Sequence, residues 1–153
     1  MNMRTLLLVA LLVAPVPSFA QTPAGQPTER YAKVDDPAVL ESFGGVEGLR
    51  RFMEVFEAEL VAHPQTKPFF AGRDNTRVKQ QLVDQFCDIL GGGCVYRGRT
   101  MRESHTGMGV SMAAFNGLVE AFQRAADRHG VPFRHQNKLL GVLAPMYRDI
   151  VNR

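Results

Sequence analysis

The stretch GGGCVYRGRTMRESHTGMGV, residues 91–110, decides how the chain is read. Its three opening glycines cannot sustain a helix, because glycine loses more backbone freedom on folding than any other residue. Thr100, Met101, Arg102 and Glu103 then fit a capping box: the threonine hydroxyl accepts from a free backbone N–H and the glutamate reaches back to the cap. The pattern predicts a very short helix that stops at Gly107 and carries a single histidine, His105, one turn beyond Met101. A lone histidine so presented has two readings. It is a hydrogen-bonded core residue, or it ligates an iron whose other ligands a planar cofactor supplies.

Outward from this stretch, helical signals dominate. Asp36-Pro37 pairs an N-cap residue with proline at the first helical position and opens a short helix ending at Gly44-Gly45. Leu49, Phe52, Met53, Phe56 and Leu60 recur at spacings of three and four, which predicts one face of a helix over residues 46–62. Pro64 and Pro68 end it, and PFFAG, residues 68–72, reads as a tight corner. Asp74 or Asn75 caps a third helix that turns Val78, Leu82, Val83, Phe86 and Leu90 inward. Beyond the opening stretch, Ser111 caps a long helix with Met112, Phe115, Leu118, Val119, Phe122 and Ala126 on its inward face. Gly130-Val131-Pro132 breaks the chain. A last helix uses Leu139, Leu140, Val142, Leu143, Met146, Tyr147, Ile150 and Val151, with a kink at Pro145. No segment reads as a strand. The expected fold class is all-α, with four long helices and two short ones.

A chain of 153 residues with 45% hydrophobic content suits one globular domain. The net charge of +3 is scattered among interleaved acidic residues, whereas nucleic acid needs a basic face, so no nucleic-acid partner is expected. Residues 1–20 place Arg4 before an apolar run, Leu6–Val16, and end in Ser18-Phe19-Ala20, with small residues where a signal peptidase reads. The run is short for a membrane span. The expected organisation is a cleaved secretory signal at 1–20, a flexible polar leader at 21–35 and a globular domain at 36–153. The expected location is the periplasm or the outside of the cell, with no membrane association after cleavage. In such an oxidising compartment Cys87 and Cys94, seven residues apart, either close a small disulfide or remain as one buried and one surface thiol.

The chain holds four histidines. His63 and His129 fall at helix C-termini, where a cation is favoured, and His135 lies in the polar start of the last helix, so all three read as structural. HExxH, CxxC, CxxCH, GxSxG and P-loop patterns are missing from the sequence, which removes the signatures of zinc proteolysis, thioredoxin-like chemistry, covalent haem attachment, serine hydrolysis and nucleotide cradling.

The remaining pieces occur in a set order. Gly44-Gly45 opens the long second helix and PFFAG supplies Phe69-Phe70. GGGCVYRG supplies a glycine pair and Tyr96, MRESHTGMG carries Met101, His105 and Gly107, and GVP and LLGVLAPMYRDIV close the chain. His105 stands nine residues after Tyr96 and ten before Phe115. At these spacings, residues 38–151 resemble the group I truncated haemoglobins, shortened globins in which two helices pack over two.

The resemblance implies a truncated globin-like two-over-two helical sandwich and a haem b cofactor. It implies that His105 is the protein's ligand to the iron and that Phe70 wedges against the porphyrin. Val78, Leu82 and Phe86 would face the distal side, and Phe56, Tyr96, Met101 and Phe115 would line the haem. By charge, Lys79, Arg97 or Arg99 either pairs with the haem propionates or is a solvated cation. The chain departs from the family at two distal positions. Where the second helix usually carries Phe-Tyr it has Phe56-Glu57, and where glutamine often assists it has Leu82. An ionised Glu57 has no proton to donate to a gas ligand, although burial in an apolar pocket would raise its pKa. Its side chain points inward or snorkels to solvent; the sequence allows both.

The expected function is therefore reversible binding of O2 or another diatomic ligand, NO or CO, at a His-ligated iron. Two alternatives accompany it. One is a haem enzyme, either peroxidase-like with Glu57 as acid–base partner for peroxide, or NO-detoxifying with an external electron donor. The other is a periplasmic haem carrier or ligand sensor.

Overall fold

The computed structural model describes residues 32–152; the expected signal at 1–20, and the expected leader as far as residue 31, lie outside the described residues. In chain order the helices are α1 (Pro37–Ser42), α2 (Gly45–Ala62), α3 (Lys67–Phe70), α4 (Thr76–Ile89), α5 (Met101–His105), α6 (Met112–Arg128), α7 (Phe133–Leu143) and α8 (Tyr147–Ile150). A 3-10 turn at Ala144–Met146, holding Pro145, separates α7 from α8 where a kink was expected. Among the described residues there is no strand. PFFAG is more than a corner, because its first three residues complete the one-turn helix α3.

The N-terminal signals act as their chemistry requires. The Asp36 carboxylate accepts from Ala38 N at the start of α1, and the Ser111 hydroxyl accepts from Ala114 N at the start of α6. At α4 it is Asp74, one residue before the N-cap Asn75, that accepts from Thr76 N. The end of the expected leader is tied down: Val34 N donates to the Ile89 carbonyl at 2.9 Å and Lys33 Nζ meets Asp88 Oδ1 at 2.6 Å.

Helix α2 is the spine, packed against both α4 and α6. Leu49, Phe52, Met53, Phe56 and Leu60, the periodic set of α2, are all buried to 2% exposure or less. Phe122 of α6 sits at the hub of an aromatic cluster, with ring centroids 5.4 Å from Phe52, 5.8 Å from Phe56 and 6.1 Å from Phe86. Burying a phenylalanine contributes on the order of 2–3 kcal/mol, and edge-to-face pairs add roughly 1 kcal/mol. Glu59 of α2 is buried, its carboxylate held by Arg124 at 2.9 Å and Arg128 at 2.7 Å on α6, as a buried charge requires.

Two expected inward residues are not in the core. Val78 and Met112 are 44% and 45% exposed. Each sits in the first turn of its helix, where the apolar stripe runs past the edge of the packed layer. Cys87 and Cys94 form a disulfide with Cα atoms 5.6 Å apart, resolving the two thiol readings in favour of the bridge. It joins the last turn of α4 to the loop that leads to α5.

Candidate functional site

The capping box at α5 forms in full: Thr100 Oγ1 accepts from Glu103 N and Glu103 Oε2 accepts from Thr100 N. A helix of five residues would not hold alone, so these bonds fix the turn that presents His105. The histidine's Nδ1 bonds to the Met101 carbonyl at 2.7 Å. A carbonyl only accepts, so Nδ1 carries the proton, and in the neutral ring the lone pair is on Nε2. Among the described residues Nε2 has no hydrogen-bond partner. This is the arrangement in which an imidazole binds a metal: one nitrogen donates to backbone, which orients the ring, and the other is a free base.

Met101 is buried behind it and its sulfur receives Gln85 Nε2 at 3.8 Å, linking α5 to α4. Tyr96 is also buried, with its hydroxyl donating to the Arg99 carbonyl at 2.8 Å. Arg97 and Arg99 are exposed on the same loop, and among the described residues neither forms an ion pair.

A second neighbourhood lies between α2, α3 and α4. Phe56, Glu57, Phe70, Val78, Lys79 and Leu82 line one small cavity, together with Met53, Leu60 and Asn75. Its volume of about 10 Å3 is the space of a single water or a molecule of that size, which excludes an organic substrate in the cavity itself. Its walls are apolar except at one edge. There Glu57 Oε2 meets Lys79 Nζ at 2.8 Å, and Glu57 Oε1 accepts from Asn75 Nδ2 at 2.8 Å. Lys79 also reaches Glu54 at 2.8 Å, so its ammonium is shared by two carboxylates. The bonds from Lys79 and Asn75 hold the Glu57 carboxyl below its ordinary pKa and outweigh the effect of burial, so it is ionised and the rise expected of an apolar pocket does not occur. Glu57 is thus neither fully inward nor free in solvent: it borders the cavity while bonded along its edge.

Phe86 and Phe115 do not line this cavity. Phe86 is buried against Phe122, and Phe115 packs edge-on to Tyr147 at 6.3 Å beside an open groove between α6 and the C-terminal turn. The other histidines join helices. His129 Nε2 donates to the Phe43 carbonyl at 2.9 Å and His63 Nε2 lies 3.1 Å from Glu120. His135 is buried in α7. Among the described residues no cluster of three or more His, Cys, Asp or Glu could hold a metal ion, so an iron here would need ligands from a cofactor. No helix of the described residues is long and apolar enough to cross a membrane.

Three polar residues at the site carried no functional reading in the sequence. Asn75 was visible only as a cap, yet its buried amide binds Glu57 and also the Phe70 carbonyl at 3.0 Å. Gln85 interrupts an apolar helix face, a signal that it bonds inside. Asn152 lies at the C-terminal end and bonds to His105 and Val110.

Residues 38–152 match the family model described as bacterial-like globin. The group 1 truncated haemoglobin GlbN of Mycolicibacterium paratuberculosis is 31% identical over 121 residues, covering 79% of this chain and 89% of the relative. A group 1 truncated haemoglobin of Tetrahymena pyriformis is 24% identical over 75% of this chain and 95% of its own length. Among solved structures, the Fe(III) form of the T. pyriformis truncated haemoglobin superposes with a TM-score of 0.69 at 24% identity, covering 75% of this chain and 98% of that one. The cyanomet 2/2 haemoglobin of Synechococcus, with its covalently attached haem, gives 0.68 at 21% identity, with coverages of 75% and 98%. These two likenesses establish the two-over-two fold.

Proposed function

Because the chain belongs to the bacterial-like globins, and among them to the group 1 truncated haemoglobins, we propose that it holds haem b through His105 Nε2 and reversibly binds O2 or another diatomic ligand. Membership makes it a haem-binding globin. One observation carries the proposal: Nδ1 of His105 is committed to the Met101 carbonyl, which leaves Nε2 without a partner among the described residues. The residues present fit the group. They supply one nitrogen donor, and cysteines that could compete for the iron are tied up in a disulfide. When bound, haem supplies an iron coordination position open to a small gas ligand.

The chain's own residues do the rest. Met101 and Tyr96 would back the haem on the side of His105. Phe70, Val78 and Leu82 would line the side where the gas enters, with Phe56 behind them. The cavity they enclose, about 10 Å3, is no larger than a single water needs. Glu57 presents a carboxylate that accepts hydrogen bonds and donates none. It therefore gives no donor to an acceptor ligand, and the tyrosine–glutamine pair usual in the family has no equivalent here. The same ionised carboxylate favours a second reading, in which Glu57 takes a proton from peroxide in a peroxidase-like reaction. Peroxide turnover with a reducing dye separates the two, since equal rates in wild type and Glu57→Gln leave Glu57 without that role.

The location follows the same reasoning. The Cys87–Cys94 bridge supports secretion to an oxidising compartment, the periplasm or outside the cell. Titration of the purified protein with haemin tests the main reading. An equimolar complex with a shifted Soret band is expected in wild type, and a weakened, altered band in His105→Ala; no band shift in wild type overturns it.

A further inference from the structure

The short helix that presents His105 is held from outside, by the end of the chain. The Asn152 side-chain amide bonds in two directions: Nδ2 donates to the His105 carbonyl and Oδ1 accepts from Val110 N at 2.9 Å. Its backbone N donates to the Val110 carbonyl at 3.0 Å. One residue thus grips both ends of the turn from His105 to Val110, which contains Gly107 and Gly109 at positive φ and has little stiffness of its own. A second tie runs alongside, an ion pair between Arg102 on α5 and Asp149 on α8. Helix α5 packs against α8. Val110 is buried at 7% exposure, so its amide needs the acceptor that Asn152 provides.

Resting on the assignment of His105 as iron ligand, we infer that Asn152 is a positioning residue: its amide clamp on the His105 carbonyl and Val110 N–H sets where the imidazole points. The chemistry is indirect. His105 makes an internal bond from Nδ1 to Met101, which fixes the ring relative to α5. Asn152 fixes α5 relative to the rest of the domain. Both are needed for Nε2 to sit at one place, because a ligand atom must be held within a fraction of an ångström for its full bond strength.

The test uses wild type, Asn152→Ala and Asn152→Asp. Aspartate keeps an oxygen acceptor for Val110 N but loses the donor to His105. In the haem-free protein, hydrogen exchange at the Val110 amide is expected to quicken in Asn152→Ala and to stay slow in Asn152→Asp. In the haem complex, transfer of haem to apomyoglobin is expected to be roughly tenfold faster in both variants, the lower end of the range for outer residues of metal sites. The ferrous iron–histidine stretching band in resonance Raman is expected to shift or broaden in both. That band reports ligand geometry in folded molecules and does not move with stability alone. Faster haem loss with an unchanged band makes Asn152 merely structural and overturns the inference. Wild-type haem loss and an unchanged band in both variants overturn it as well, and leave the function intact. A wild type that binds no haem overturns the function and the inference together.

Discussion

Glu57 Oε2 lies 2.8 Å from Lys79 Nζ, while its other oxygen accepts from Asn75 at 2.8 Å, so the carboxylate bordering the small cavity is ionised and braced. Its pKa lies below 4.5, first because Lys79 donates to it and then because Asn75 does. The Lys79 pKa lies above 10.5, held up by Glu54 and Glu57. For a depressed carboxylate the stabilisation is present above the unfolded pKa and is lost as pH falls through the folded one; for a raised lysine it persists below the unfolded pKa and is lost as pH rises through the folded one. The window in which the pair contributes therefore runs from about 4.5 to about 10.5.

From this follows a pH-dependent difference. Glu57→Gln is expected to lower stability by roughly 0.5–1 kcal/mol at neutral pH, the range for a pair near the surface. The gap from wild type closes as pH falls below 4.5. Urea titrations at stepped pH measure it, and a gap that stays constant down to pH ~3 contradicts the ionised carboxylate.

Gly48 sits where α2 passes the end of α1. A Cβ there would lie 1.7 Å from the Phe43 carbonyl oxygen, a backbone atom with no rotamer to yield. Gly48→Ala is expected to destabilise the fold by about 2–3 kcal/mol or more, at the upper end for overpacking. Chemical denaturation checks it; a variant within ~0.5 kcal/mol of wild type contradicts the close approach of the two helices.

The Cys87–Cys94 bridge closes a short loop. Reduction, or the double change Cys87→Ser and Cys94→Ser, is expected to cost about 2–3 kcal/mol by the loop-entropy estimate. Urea titration with and without reductant measures this. Alkylation without reductant, read by mass spectrometry, is expected to find no free thiol in protein from an oxidising compartment; two labelled thiols contradict the bridge.

Local signals in the sequence carried much of this fold. Asp36, Thr100 and Ser111 cap the helices they were expected to cap, because a cap's partners lie within three residues. The α2 stripe from Leu49 to Leu60 reads correctly because every member meets a neighbouring helix. Val78 and Met112 misread because periodicity gives a face and not a depth, and the packed layer stops short of both first turns. The bonds around the site were not legible. Asn75 and Glu57 are 18 residues apart, Asn152 and His105 are 47 apart, and only the fold brings them together. The direction of the Glu57 shift depended on the same geometry. Burial alone pushes its pKa up; the side chain and ammonium that reverse this come from α4 and the residue before it.

The central claim is that Nε2 of His105 holds the iron. It is tested most directly by His105→Gly loaded with haem and examined by ferrous resonance Raman with and without added imidazole. The account predicts that the iron–imidazole stretching band of wild type is lost in the variant and returns when imidazole fills the space left by the ring. A variant that keeps the wild-type band without imidazole would contradict it, because another residue would then hold the iron.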